Sequence, residues 1–224
     1  MQIEHIAVIG AGQMGTGIAQ VAAAAGFQVQ LLDVDEKLAV RAKERIDGAL
    51  AGQVKKGKLE DKVRIETVSR ITPIQRFAQL GNAQLVIEAA IEDVNIKSEI
   101  FRQAQAVISE DAILASNTSS IPITKLAAAT RHPERFIGLH FMNPPPLMRL
   151  VEIIRGLQTS DETAEQARSV TEKLGKVIVS ASDMPGFIVN RMLIPFLNEA
   201  CFALQEGLGT PEDIDMGAKL GLNH

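Results

Sequence analysis

Short, almost wholly apolar runs alternate with longer amphipathic segments along most of the chain. Apolar runs of about 4–8 residues are typical of buried strands, and apolar residues spaced three and four apart are typical of helices. The pattern predicts strands at 5–9, 28–32, 64–67, 85–90, 112–116, 136–141, 150–154 and 177–180. It predicts helices at 13–25, 35–56, 96–108 and 161–174. This alternation predicts an α/β fold with a doubly wound, mostly parallel sheet.

The pattern changes near Pro185, after which no further strand is predicted. A long, mostly apolar helix is expected at 187–206, and a shorter helix follows it. We therefore expect residues 1–184 to form one domain. Residues 185–224 would begin a second, all-helical domain, which the chain leaves incomplete.

Composition and charge exclude several classes of function. The 224 residues carry a net charge of −4, include no Trp or Tyr, and contain one cysteine, Cys201. A general nucleic-acid coat, a base-stacking surface, an internal disulfide and a cysteine-based metal site are thus not expected. The start of the chain lacks the basic residues of a secretory signal, and no uncharged apolar stretch reaches about 18 residues. We expect a cytoplasmic protein without a membrane span or a bound metal.

A glycine-rich turn joins the first predicted strand to the first predicted helix, with the spacing G-x-G-x-x-G. In this context the turn is the fingerprint of a Rossmann-type dinucleotide-binding fold. The glycines allow a tight turn and close backbone approach, and the N–H groups of the helix N-terminus attract phosphates. The residues expected to bind the cofactor here are Gly10, Gly12, Gln13, Met14 and Gly15.

Asp33 ends the second predicted strand, 23 residues after Gly10. Its carboxylate is placed to accept hydrogen bonds from ribose hydroxyls and to repel a 2′-phosphate, which favours NAD over NADP. FAD is the weaker competitor for this fingerprint. The remaining alternative is a turn that packs a helix on the sheet and binds no ligand.

His140 is the histidine best placed for chemistry, because it lies at the predicted carboxyl edge of the sheet. A histidine there is suited to act as a general base near neutral pH. From its position alone, a hydrogen-bonded core histidine is the favoured interpretation.

Four motifs connect the chain to a known family. They are ASNTSS at 115–120, GLHFMNPPP at 138–146, LVEII at 150–154 and DMPGFIVNR at 183–191. In order and spacing they resemble the L-3-hydroxyacyl-CoA dehydrogenase family, and within it the short bacterial type that acts on 3-hydroxybutyryl-CoA. The resemblance spans nearly the whole chain. It implies NAD-dependent oxidation of an (S)-3-hydroxyacyl-CoA to a 3-oxoacyl-CoA, as in fatty-acid β-oxidation.

The resemblance also implies roles for four residues of the reaction centre. His140 matches the catalytic base, and Glu152 matches the carboxylate that pairs with it. Ser119 and Asn190 match residues that hydrogen-bond the reacting part of the acyl group. Taken without the family, Glu152 could be an ordinary strand charge and Ser119 a helix N-cap.

Further positions match ligand contacts of the family. Glu92 and Lys97 match contacts to the nicotinamide half of NAD, and the equal alternative for Lys97 is a solvated helix charge. Asn117 is assigned to the same cofactor. Lys56, in a short basic cluster, matches a lysine that contacts coenzyme A; the alternative is a solvated helix end. Ala49 departs from the family, which has a serine there in some members.

Family members continue beyond residue 224 with helices that complete the second domain and form a homodimer interface. Two helices cannot bury the apolar face predicted within 187–200, so we expect a truncated form that binds NAD and turns over weakly or not at all. A natural short form and a face covered by a partner or an exchanged helix pair are the alternatives.

Two other functions stay open on the sequence. One is a dehydrogenase of a free hydroxy acid or sugar acid, and the other is a non-catalytic NAD-binding protein on the same scaffold. The joint presence of His140, Glu152, Ser119 and Asn190 argues for catalysis.

Overall fold

The computed structural model describes residues 3–223. The strands are β1 (His5–Ile9), β2 (Gln28–Leu32), β3 (Ile71–Ile74), β4 (Leu85–Glu88), β5 (Ile113–Ser116), β6 (Phe136–Phe141), β7 (Leu150–Arg155) and β8 (Val177–Ser182). The α-helices are α1 (Gln13–Ala24), α2 (Glu36–Lys55), α3 (Asp61–Ser69), α4 (Val94–Gln105), α5 (Ile123–Ala127), α6 (Asp161–Lys173), α7 (Val189–Gln205) and α8 (Pro211–Met216).

The eight strands form one sheet in the order β3-β2-β1-β4-β5-β6-β7-β8. Every neighbouring pair is parallel except β6 and β7, which are antiparallel. The predicted α/β class with a doubly wound, mostly parallel sheet is therefore confirmed. Because the strand order reverses between β1 and β4, a crevice opens at the carboxyl ends of these strands, where such sheets bind ligands.

The core lies on both faces of the sheet, since β4, β5 and β6 are buried along their whole length. Helix α1 packs closely on one face through small residues such as Ala19 and Ala22. A Cβ atom at Gly17 would lie 2.7 Å from the ring of Pro145. Helix α1 is thus held directly against the segment that follows β6.

The predicted strand at 64–67 is wrong, because these residues lie within helix α3. Ile65, the apolar residue of this segment, is 54% exposed, so the segment has no buried apolar face. The strand instead begins at Ile71 and forms the edge β3, where Pro73 is tolerated because only one side of the strand is paired.

Beyond β8, the described residues form helices and no strand, as predicted. Helix α7 contains Pro195 and has no fully buried residue. Phe187 departs from the predicted uncovered apolar face, because it lies before the helix and is only 6% exposed. Within residues 3–223, no helix is both long and apolar enough to cross a membrane.

Candidate active site

The glycine-rich turn after β1 is built so that two of its positions accept only glycine. Gly10 has a φ of +106°, and a Cβ atom there would lie 2.6 Å from the carbonyl oxygen of Ala89. A Cβ atom at Gly15 would lie 1.8 Å from the carbonyl oxygen of Gly10. The turn and the start of α1 are therefore locked together, and the first N–H groups of α1 face the crevice.

Gly12 differs from these two glycines, because a Cβ atom there would meet nothing within 4 Å. The open space belongs to a cavity of about 1090 Å³, which Gly10, Gly12, Gln13, Met14 and Asp33 help to line. No side chain caps the N-terminus of α1. A cavity of this volume, with a free helix N-terminus, fits a dinucleotide.

Asp33 lies at the rim of this cavity and is tied to the turn. Its Oδ2 atom accepts a hydrogen bond from the backbone N–H of Ala11 at 2.6 Å. Arg45 on α2 approaches from the other side, with Nη2 3.0 Å from the carbonyl oxygen of Ala11. The carboxylate is thus presented in one orientation at the end of β2, where a ribose is expected.

His140 and Glu152 form a buried pair across the one antiparallel strand pair of the sheet. They are direct cross-strand partners in β6 and β7. The Nδ1 atom of His140 lies 2.7 Å from Oε2 of Glu152, and the two residues are 7% and 0% exposed. Because a carboxylate only accepts hydrogen bonds, Nδ1 carries a proton and Nε2 is left as the basic nitrogen.

The second oxygen of Glu152 is held by the start of helix α7. Its Oε1 atom accepts hydrogen bonds from the backbone N–H groups of Ile188 at 2.9 Å and Val189 at 3.0 Å. Phe187 has a φ of 49° and places its ring 5.7 Å from the His140 ring, measured between centroids. The turn into α7 therefore supports both members of the pair.

Ser119 and Asn190 come from different elements and lie side by side. The Nδ2 atom of Asn190 is 3.5 Å from the carbonyl oxygen of Ser119. Asn117 uses its Oδ1 atom to accept a hydrogen bond from the N–H of Phe141 at 2.9 Å. The loop after β5 is thus joined to the strand that carries His140 and to α7.

Glu92 joins this loop to Lys97 on α4. Its Oε1 atom lies 2.6 Å from Oγ1 of Thr118 and 2.9 Å from the N–H of Ser119. Burial raises the pKa of Glu92, but hydrogen bonds from Thr118 and Ser119 and the charge of Lys97 outweigh it and lower the pKa to about 2. Glu92 is therefore ionised at neutral pH.

Lys97 is 1% exposed, so it is not a solvated helix charge. Its ammonium group lies 2.6 Å from Oε1 of Glu88 and 3.3 Å from Oε2 of Glu92. The predicted contacts of Glu92, Lys97 and Asn117 with the cofactor stay predictions.

Most of the predicted site residues fall into two groups at one edge of the sheet. One group lines the cavity at the glycine-rich turn, whereas Gly15 packs against Gly10 and is not among the lining residues. The other contains the His140–Glu152 pair with Ser119 and Asn190. Residues 144–146 connect the groups, because they follow β6 and line the cavity. Lys56 belongs to neither group and is exposed at the C-terminal end of α2.

Sequence reasoning missed several residues of this site. Arg45 and Glu88 are visible in the sequence as charged residues. Glu88 also stands out because it is a carboxylate within an apolar strand. The main-chain N–H groups of Ile188 and Val189 leave no signal in the sequence.

Among residues 3–223, no cluster of at least three His, Cys, Asp or Glu side chains could hold a metal ion.

Comparison with known proteins places this geometry in a family. Residues 5–184 match the NAD binding domain of 3-hydroxyacyl-CoA dehydrogenase, and residues 186–224 match the C-terminal domain of the same family. The 3-hydroxybutyryl-CoA dehydrogenase of Bradyrhizobium diazoefficiens is 50% identical over 222 residues, which cover 99% of this chain and 76% of that protein.

Solved structures have the same architecture. The crystal structure of (S)-3-hydroxybutyryl-CoA dehydrogenase from Ralstonia eutropha has a TM-score of 0.96 and 43% identity, covering 100% of this chain and 79% of the other. A 5-formyl-3-hydroxy-2-methylpyridine 4-carboxylic acid 5-dehydrogenase, an NAD⁺-dependent dismutase, has a TM-score of 0.89 and 34% identity. That match covers 99% of this chain and 72% of the other.

Proposed function

Because the chain belongs to the 3-hydroxyacyl-CoA dehydrogenase family of NAD-dependent oxidoreductases, we propose that it oxidises (S)-3-hydroxyacyl-CoA thioesters to 3-oxoacyl-CoA. The first candidate substrate is 3-hydroxybutyryl-CoA, which gives several relatives their name. The observation that carries the proposal is the 2.7 Å contact between His140 Nδ1 and Glu152 Oε2 at the carboxyl edge of the sheet.

In this mechanism, His140 is the general base. Its Nε2 atom takes the proton of the 3-hydroxyl group, and the ring becomes an imidazolium. When bound, NAD supplies the hydride acceptor for the hydrogen on C3. In the reverse direction, the imidazolium returns the proton to the 3-oxo oxygen.

Glu152 stabilises the charge that develops on His140. It is fully buried and faces the ring, so little water screens the attraction between carboxylate and imidazolium. The N–H groups of Ile188 and Val189 donate to its other oxygen, which fixes the carboxylate in one orientation. The start of α7 thereby contributes to the chemistry of a base on β6.

Ser119 and Asn190 are assigned to the acyl group. Both carry neutral groups able to hydrogen-bond a hydroxyl or carbonyl oxygen, and both lie at the edge that holds His140.

The turn at 10–15 and Asp33 would hold the adenosine and diphosphate part of NAD. We propose Lys56 as a contact for coenzyme A phosphates through its exposed ammonium group.

The domain division at residue 184 fits this assignment. Residues up to 184 supply the cofactor cavity, His140 and Glu152, and the helical region supplies Asn190 and the N–H donors to Glu152. Both parts are therefore needed for one reaction centre. A homodimer, as expected for the family, is a further proposal.

A free acid is the second candidate substrate, because a relative of 34% identity is named for a pyridine carboxylic acid rather than for a thioester. The two candidates are separated by following NADH at 340 nm, at enzyme concentrations that allow single turnover. The substrates are (S)-3-hydroxybutyryl-CoA, its (R) isomer and free 3-hydroxybutyrate. We expect NADH from the (S) thioester alone. NADH from the free acid alone would overturn the acyl-CoA assignment.

A further inference from the structure

A buried ion pair lies next to the reaction centre but outside the His140–Glu152 pair. Glu88, at the end of β4, and Lys97, on α4, are 0% and 1% exposed, and their charged groups are 2.6 Å apart. Burying two charges costs desolvation energy, and an apolar pair of similar volume is often as stable or more stable. A contribution to stability alone is therefore a weak reason for this pair to be present.

The Glu88 carboxylate is fixed by three elements. Its Oε1 atom accepts from the Lys97 ammonium and, at 2.6 Å, from the N–H of Ala90. Its Oε2 atom accepts from the hydroxyl of Ser116, at the end of β5, at 2.7 Å. These contacts leave the carboxylate a single orientation between β4, β5 and α4.

Lys97 passes this orientation on to Glu92. Besides Glu88, the ammonium reaches the carbonyl oxygen of Ala90 and Oε2 of Glu92, each at 3.3 Å. An ammonium group has three N–H donors, and three protein oxygens surround this one. Lys97 therefore holds Glu92 from within the protein, although the Glu92 side chain itself is 38% exposed.

Glu92 in turn holds the loop that carries Ser119. Its Oε1 atom is within hydrogen-bond distance of the N–H groups of Ser119 and Ser120, at 2.9 and 3.1 Å. The hydroxyl groups of Thr118, Ser119 and Ser120 approach the same oxygen.

A second route reaches the same loop from Glu88. The hydroxyl of Ser116 donates to Glu88 and accepts from the N–H of Thr118 at 3.2 Å. Two chains of contacts thus begin at one buried carboxylate and end on adjacent residues of one short loop.

We propose that Glu88 is a positioning residue of the active site, which holds the Ser119 hydroxyl in place through Lys97 and Glu92 and through Ser116. This inference rests on the proposed function, which assigns Ser119 to the acyl group. Glu88 touches neither substrate nor cofactor in this proposal. Residues 89–91, which follow it directly, line the cofactor cavity, so one support serves both binding sites.

Hydrogen exchange tests the positioning role without any substrate. In Glu88→Gln, we expect the amides of Ser119 and Ser120 to exchange at least about tenfold faster than in the wild-type protein, since their acceptor is no longer held. The amides of β1, which lie in the core, serve as the internal reference. Unchanged exchange at Ser119 and Ser120 would overturn the proposal.

A double-mutant cycle with Ser119→Ala tests the consequence for turnover. Glu88→Gln is expected to lower single-turnover NADH formation by roughly 10- to 100-fold, because a small displacement of a reacting group is costly. In the Ser119→Ala background, it should lower the rate by less than about threefold, since there is no hydroxyl left to position. Equal effects in both backgrounds would indicate a merely structural residue.

A paired variant covers the case in which Glu88→Gln fails to fold with Lys97 left unpartnered. Glu88→Leu combined with Lys97→Met removes both charges and is expected to keep a melting temperature close to that of the wild type. The same cycle with Ser119→Ala is then run on this pair, with the same two readings. Glu99→Gln, which removes an exposed carboxylate paired with Arg102 on α4, is the matched control and should change neither exchange nor rate.

The two proposals fail in different ways. If the wild-type chain forms no NADH from any 3-hydroxyacyl-CoA, the proposed function is wrong, and the exchange comparison still decides the role of Glu88. If turnover is present but Glu88→Gln and Ser119→Ala act independently, only the positioning role is wrong.

Discussion

The backbone N–H of Ile188 donates a hydrogen bond to Oε1 of Glu152 at 2.9 Å, across 36 positions of sequence. Through this contact, the N-terminal end of α7 holds the Glu152 carboxylate, whose other oxygen faces His140. The His140–Glu152 pair is thus completed by a segment outside the sheet. Any displacement of α7 would act directly on the orientation of the proposed general base.

Glu152→Gln is expected to lower the turnover rate by roughly 10²- to 10⁴-fold with little change in NAD affinity. A carboxamide has one oxygen, so it cannot accept hydrogen bonds both from His140 and from the N–H groups of Ile188 and Val189. Single-turnover NADH formation and calorimetry with NAD measure the two effects. Glu162→Gln, on the exposed start of α6, is the control. A Glu152→Gln rate within threefold of the wild type would contradict the assigned role.

Gly12→Ala is expected to weaken NAD binding by at least about tenfold, which corresponds to about 1.4 kcal/mol, without lowering the melting temperature. Its Cβ atom would enter the open space of the cavity and meet no protein atom within 4 Å. The measurement is calorimetric titration with NAD, together with thermal unfolding.

Two other glycines make this test specific. Gly15→Ala should lower the melting temperature, because its Cβ atom would overlap the carbonyl oxygen of Gly10. Gly48→Ala, on α2 with nothing nearby, should leave NAD binding intact and add roughly 0.5–1 kcal/mol of stability. Normal NAD affinity in Gly12→Ala would show that the cavity is not the cofactor site.

Asp33→Asn is expected to reduce the preference for NAD over NADP by roughly 10-fold, which corresponds to about 1.4 kcal/mol. The amide oxygen retains an acceptor for the N–H of Ala11, while the charge that repels a 2′-phosphate is lost. The ratio of kcat/KM for the two cofactors measures the change. An unaltered ratio would place the source of selectivity elsewhere in the cavity.

The pKa of Glu92, lowered from 4.5 to about 2, predicts a pH-dependent contribution to stability. A carboxyl group whose folded-state pKa is lowered stabilises the fold above its unfolded pKa, and the contribution is lost as pH falls through the folded pKa. The free energy of unfolding of the wild type should thus exceed that of Glu92→Gln above pH 5 and converge with it towards pH 2.

Because the Glu92 side chain is 38% exposed, solvent screening reduces the expected difference to about 1 kcal/mol at pH 7. Urea unfolding of both proteins at several pH values measures it. A difference that stays constant between pH 7 and pH 2 would mean that Glu92 is not held as an ionised group. Glu99→Gln again provides a surface comparison.

The sequence predicts most of the sheet and the glycine-rich turn, because apolar runs and glycine spacing are local signals. The strand prediction at 64–67 is wrong, because the segment is too short for its apolar pattern to distinguish a strand from a helix that exposes Ile65. The sequence does not show that Lys97 is buried, since a pattern of polarity cannot reveal that Glu88 lies opposite in the folded chain. The donors to Glu152 are main-chain groups and depend entirely on the path of the chain.

In the proposed mechanism, His140 is held by Glu152 and removes the proton during NAD-dependent oxidation. The most direct measurement compares single-turnover NADH formation from (S)-3-hydroxybutyryl-CoA by the wild-type chain and by His140→Gln, with NAD affinity measured on both. We predict a rate at least about 10³-fold lower in His140→Gln, with an NAD dissociation constant within about twofold of the wild type. A rate within tenfold of the wild type would contradict it.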